Sequence, residues 1–217
     1  MNKSIALIAA FASLFSSVMG LSQTMRPDLS KAENLEFTNR EFTLKKDSEK
    51  GSAVYLKSDE GPGVVWLKDT WFSTGTVEFD VKGKDVLQQS FVGIAFHGQN
   101  DSTYEGIYFR PFNFNSEQEL RRSHSVQYIF MPKFEWYTLR ENHPGVYENP
   151  LHEPVDPNNW FHVKISIENE LIKVYVNDHD AEVLSVKPIP EIHNGRLGFW
   201  VGNGSDGTFA NLLIKPD

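Results

Sequence analysis

The chain has no cysteine. Disulfides are therefore excluded, and so is a lipid-acylated N-terminal cysteine. Basic charge is also scarce, with 21 Lys and Arg against 29 Asp and Glu, a net charge of −8. That balance argues against nucleic acid or an anionic membrane as a main partner. Helical periodicity is almost missing. There is no internal repeat and no break in composition that would divide the chain. No histidine–carboxylate spacing of the His-Glu-x-x-His kind occurs, so no metal centre is expected. One long uncharged apolar run is present, and it lies at the N-terminus.

That run reads as a secretory signal over residues 1–20. Lys3 supplies the positive end, Ile5 to Phe15 the apolar centre, and Ser16-Ser17-Val18-Met19-Gly20 the small residues of a cleavage site. It is too short for a membrane span, so no span is expected once it is removed. Export without disulfides fits the periplasm or exterior of a bacterium. Residues 21–34 are polar and read as a tether. Residues 35–217 are long enough for one domain with a good core.

Within that domain the pattern is strand after strand, each bounded by turn residues. Gly75 to Val81 alternates, with Val77, Phe79 and Val81 on one face and Glu78 and Asp80 on the other. Phe91 to Phe114 reads as two strands joined at Gly98 to Ser102. In the first, Val92, Ile94 and Phe96 share the oily face and His97 the other. In the second, Ile107 and Phe109 oppose Tyr104, Tyr108 and Arg110. Gln127 and Trp200 take the outward parity in later strands. A dozen or so short strands with regular turns predict an all-β fold, a two-sheet antiparallel sandwich of the jelly-roll type. Residues 131–159 interrupt the rhythm. They exceed an ordinary connection and carry Phe134, Trp136, Tyr137, Leu139 and Tyr147, so they read as a structured flap, with a short helix over Tyr137 to His143.

Gly63-Val64-Val65-Trp66-Leu67, Gly75 to Val81, Phe91 to Phe96, Tyr104 to Arg110 and Gly195-Arg196-Leu197-Gly198 together resemble the concanavalin A-like lectin/glucanase superfamily. Within it the chain is similar to the 3-keto-disaccharide hydrolase domains and their laminin-G-like relatives. The resemblance spans about residues 35–217. It implies two curved sheets, with ligands on the concave face. On that face His97, Tyr108, Arg110, Asn113, Gln127 and Trp200 become candidates for binding carbohydrate.

The laminarinase-type members carry Glu-x-Asp-x-Glu on one strand. Here the run is Glu78-Phe79-Asp80-Val81-Lys82, with Lys82 in place of the second Glu. Retaining hydrolysis needs two carboxyl groups about 5–5.5 Å apart, so that mechanism is rejected at this strand. Glu78 and Asp80 are then expected on a solvated face. If the chain is an enzyme acting on a glycosidic bond, the catalytic candidates are His97, Arg110, Glu141, His143 and Glu148. The bland alternative for Arg110 is an ion pair with Glu141 or Glu148. Calcium is common in the superfamily, and Asn203 and Asp206 offer oxygens, though both also suit an ordinary turn. Three readings stay open: a sugar-binding domain, a glycosidic-bond-cleaving enzyme, and an adhesion or assembly module.

Overall fold

The computed structural model describes residues 23–177, 179–190 and 192–217. The expected signal segment, 1–20, lies outside the described residues. In chain order the strands begin β1 (Leu35–Thr38), β2 (Phe42–Asp47), β3 (Gly51–Leu56), β4 (Gly63–Phe72) and β5 (Gly75–Lys82). They continue β6 (Val92–Gly98), β7 (Tyr104–Phe109), β8 (Val126–Met131), β9 (Glu148–Asn149) and β10 (Trp160–Ile167). The last four are β11 (Ile172–Val176), β12 (Leu184–Val186), β13 (Gly195–Val201) and β14 (Gly207–Pro216). Three short helices interrupt them: α1 (Pro111–Phe114), α2 (Glu119–Arg122) and α3 (Trp136–Asn142).

The strands form two antiparallel seven-stranded sheets. One runs β1-β4-β13-β6-β7-β8-β9 and the other β12-β11-β10-β5-β14-β3-β2. Strand alternation decides what lies between them. Phe109 meets Phe161 at 5.3 Å, and Phe199 stacks on Phe209 at 4.7 Å and touches Phe79. These inward rings are fully buried. At about 25 cal/mol per Å² of apolar area removed from water, each such ring contributes roughly 2 kcal/mol or more. The residues between them in sequence, Tyr108 and Trp200, must then point away from the core, onto the outer face of the first sheet.

Residues 23–34 are held against the domain. Met25 exchanges backbone hydrogen bonds with Ile214 at 2.8 and 2.9 Å, and Leu29 is buried. The 131–159 segment is ordered by α3, which buries Leu139, and by β9, which pairs with β8. It also shields the β8 edge, through Phe134 paired with Phe130 and the Tyr147 carbonyl accepting from Tyr128 N–H.

Candidate functional site

The outer face of the first sheet forms the floor of an open cleft of about 730 Å³. Its central pair of rings depends on one missing side chain. Gly93 is the cross-strand partner of Tyr108 on one side and Trp200 on the other. A Cβ there would lie 2.1 Å from the Ile107 carbonyl oxygen and 2.7 Å from Tyr108 Cβ. With glycine in that place, Tyr108 and Trp200 meet across the gap at 4.9 Å. The Trp200 indole N–H donates to Tyr104 Oη at 3.0 Å, which fixes its plane. Burial pushes the Tyr104 hydroxyl up to about 12, so it remains protonated.

Arg110 follows β7 by one residue. Its guanidinium donates to Tyr108 Oη at 2.6 Å, to Gln127 Oε1 at 3.3 Å and to the His124 carbonyl at 2.8 Å. Burial pushes Arg110 below its ordinary range, with Arg140 adding to the effect while Tyr108 and Glu148 oppose it. Arginine still keeps its charge near neutral pH. Behind it sits Glu148 of β9, which takes a bidentate pair of hydrogen bonds from Arg140 at 2.8 and 2.6 Å. Arg110 Nη1 is 3.9 Å from the same carboxylate and His124 Nδ1 is 2.9 Å away. The last is a close approach without hydrogen-bond alignment, since His124 Nδ1 is buried with no partner so oriented. Burial depresses His124 and keeps the imidazole uncharged at neutral pH, although Glu148 pulls the other way.

The walls come from connections. Phe91 and Phe112 meet edge to face at 5.2 Å on one side. Trp136, at the start of α3, lies opposite with Arg140 over its ring at 4.9 Å. Asn113 of α1 donates to the His124 carbonyl at 3.2 Å and accepts from Arg121 Nε at 3.3 Å. Of the binding candidates named from the sequence, Tyr108, Arg110, Asn113 and Trp200 line the cleft. Gln127 lies beneath, orienting Arg110 and donating to the Tyr147 carbonyl at 3.1 Å.

His97 does not join them. Opposite Leu197, strand β6 carries two residues, Phe96 and His97, against one, because Gly198 pairs with Ala95 while Arg196 pairs with Gly98. His97 adopts a left-handed φ of 50° at this bulge. Its ring is turned off the outer face and stacks on buried Phe72. There Nδ1 lies 2.8 Å from Glu105 Oε1 and Nε2 lies 2.7 Å from the Ser73 carbonyl. Glu105 also accepts from Tyr128 Oη at 2.5 Å. Gly98 follows because a Cβ would come within 2.6 Å of the Trp66 ring.

Glu141 and His143 are exposed on the far part of the flap and are not part of the cleft wall. Glu148 converges with Arg110, but its side chain is only 3% exposed and its oxygens face Arg140. Sequence reasoning missed Arg121 and His124 as site residues. Their signal is the basic run Arg121-Arg122-Ser123-His124, which α2 and the turn into β8 bring to the rim.

Glu78 and Asp80 sit on the outer face of the opposite sheet, away from the cleft. Asp80 is not solvated as expected. It is 5% exposed, with His162 Nδ1 at 2.8 Å, Asn211 Nδ2 at 2.7 Å and Lys50 Nζ at 3.3 Å. The calcium candidates do not fit a cation. Lys84 Nζ lies 2.5 Å from Asp206 Oδ1, Tyr55 donates to its other oxygen, and Asn203 Oδ1 accepts from Gly61 N–H at 2.7 Å. Among the described residues no group of three or more His, Asp or Glu is arranged to hold a metal.

No family model matches the chain, and no curated protein matches it. Solved structures do share its fold. A carbohydrate-binding module from Bacillus subtilis is 18% identical, with a TM-score of 0.59, covering 84% of this chain and 96% of its own. A Bacillus subtilis protein of galectin-like fold is 12% identical, with a TM-score of 0.59 and coverage of 88% and 94%. A family 16 endo-glucanase from Bacteroides ovatus is 9% identical, with a TM-score of 0.55 and coverage of 87% and 98%. The two-sheet jelly-roll architecture is thus shared with them. Among the described residues no helix is long and apolar enough to cross a membrane.

Proposed function

We propose that this chain is an exported carbohydrate-binding domain whose ligand lies in the cleft over Tyr108 and Trp200. The observation that carries the reading is the make-up of that cleft. Two rings packed side by side over Gly93 form the base, with only 2% of Tyr108 and 6% of Trp200 exposed, the well-exposed ring of Trp136 stands on the wall, and the guanidinium groups of Arg121 and Arg140 lie beside them. Sugar rings offer C–H faces that pack on aromatics and hydroxyls that take forked hydrogen bonds. Such a surface needs little rearrangement on binding, which limits the entropic cost.

The glycosidase reading, including the 3-keto-disaccharide hydrolase branch, has less support. Hydrolysis with two carboxyl groups requires both beside the scissile bond. Among the described residues Glu135 is the one carboxylate on the cleft wall, and Glu148 is covered by Arg140. An adhesion or assembly module would be better served by a filled face than by this open cleft.

The test is a glycan array on the purified domain, followed by calorimetry on any hit and mass spectrometry of the sugar after incubation. Binding with the sugar recovered intact is the expected result. Release of shorter or modified sugars would replace this reading by the enzymatic one. Absence of any binding would sink both.

A further inference from the structure

The cleft carries charge of the sign opposite to the chain. The protein as a whole has a net charge of −8, yet Arg110, Arg121 and Arg140 line the cleft against the single carboxylate of Glu135. Glu148 offsets part of this from behind, through Arg140. Arg121 is positioned by α2 and α1 together. Its Nε donates to Asn113 Oδ1 at 3.3 Å and its Nη2 to the Phe112 carbonyl at 2.9 Å. Both anchors lie on one side of the guanidinium, and its Nη1 has no acceptor among the described residues. Arg140 is alike: Nε and Nη2 hold Glu148, and Nη1 is left without an acceptor among the described residues. These are immobilised forks with donors still to satisfy, which suits an oxyanion better than a scattered surface charge would.

A second recess of about 300 Å³ adjoins the cleft, and Phe112, Gln118 and Arg121 line both. Its other walls are Asp85, Asn115, Ser116 and Glu117. The carboxylates of Asp85 and Glu117 accept hydrogen bonds from hydroxyls and repel anions, and Asn115 and Ser116 add neutral polar groups. The two spaces thus differ in chemistry, with Arg121 at their junction.

We propose that the ligand is an acidic oligosaccharide, whose oxyanion is held at Arg121 and whose next sugar places neutral hydroxyls in the second recess. This rests on the sugar-binding reading above and goes further by naming the ligand class. A uronate carboxylate and a sulfate ester share the required chemistry.

The experiment uses calorimetry with matched pairs: uronate oligosaccharides against their carboxyl-reduced forms, and sulfated oligosaccharides against their desulfated forms. At least one acidic member should bind about tenfold or more tightly than its neutral partner, and the arm in which this occurs identifies the anion. Arg121→Gln, checked for an unchanged melting temperature, should lower the affinity for the acidic member about tenfold more than the affinity for its neutral partner, so that the preference disappears. Arg121→Lys should restore it only in part, because an ammonium lacks the fork. If the neutral partner binds as well in every pair that binds, acidic selectivity is overturned and sugar binding stands. A preference that survives Arg121→Gln overturns the assignment to that residue. If no member of any pair binds, the inference and the reading beneath it fall together.

Discussion

At the scale of single residues, the cleft depends on which side chains strand alternation turns outward and on one that is absent. Trp136 is the most exposed aromatic ring of the cleft, at 44%. Trp136→Ala should therefore weaken sugar affinity about tenfold, roughly the worth of one aromatic contact, while the melting temperature stays within a degree or two. Calorimetry and a thermal melt check both halves. Glu105 behaves in the opposite way. It is 1% exposed and serves His97 and Tyr128 at once. Glu105→Ala strands two buried polar groups, and urea unfolding should register a loss of about 3 kcal/mol or more with sugar affinity unchanged. Strand parity turned Tyr108 and Trp200 off the oily face, as the structure has them, while only the resemblance suggested which sheet they share. His97 escaped that logic. Its direction is set by a bulge that exists only where β6 meets β13, a partner about a hundred residues away in the chain. Local sequence holds no trace of that mismatch beyond the glycine that follows.

At the scale of elements, the strands were legible and the shortest helices were not. Alternation of valine, isoleucine and phenylalanine identifies β5, β6, β7 and β13 directly. A single turn such as α2 has too few residues to display a helical period, so Arg121 and His124 arrived at the cleft unannounced. The neighbourhood of Asp80 was also misjudged, because its cover comes from β10, β14 and the turn before β3 and not from β5 itself. Burial by itself would raise the Asp80 carboxyl, but hydrogen bonds from His162 and Asn211 and the charge of Lys50 outweigh it and hold the group below its ordinary range. A carboxylate lowered in the folded state stabilises the protein above its unfolded value of about 3.9 and loses that contribution as pH falls through the folded value. Asp80→Asn should cost about 1–3 kcal/mol at pH 7, and its deficit relative to the parent should shrink as the pH drops below about 4. Urea midpoints measured from pH 7 to pH 3 decide this. A constant deficit would show that the carboxylate charge contributes nothing.

At the scale of the whole molecule, two sheets divide the labour. One carries Asp80 and its partners on its outer surface, and the other carries the cleft, with the aromatic core between them. The terminal strand of the cleft sheet, β9, is only two residues long. So short a strand has little hold of its own, and its Glu148 is fastened to Arg140 and to the Arg110 side of the cleft. The last rung of the sheet is thus latched by charge, and behind it lie the main-chain groups of β8. Unlatched edges recruit other edges. Glu148→Gln should therefore change how molecules behave toward one another as well as how one molecule binds sugar. Light scattering at rising protein concentration should show the variant self-associating where the parent stays dispersed. That outcome would make the flap a guard for the β8 edge, with the Arg140–Glu148 pair as its latch.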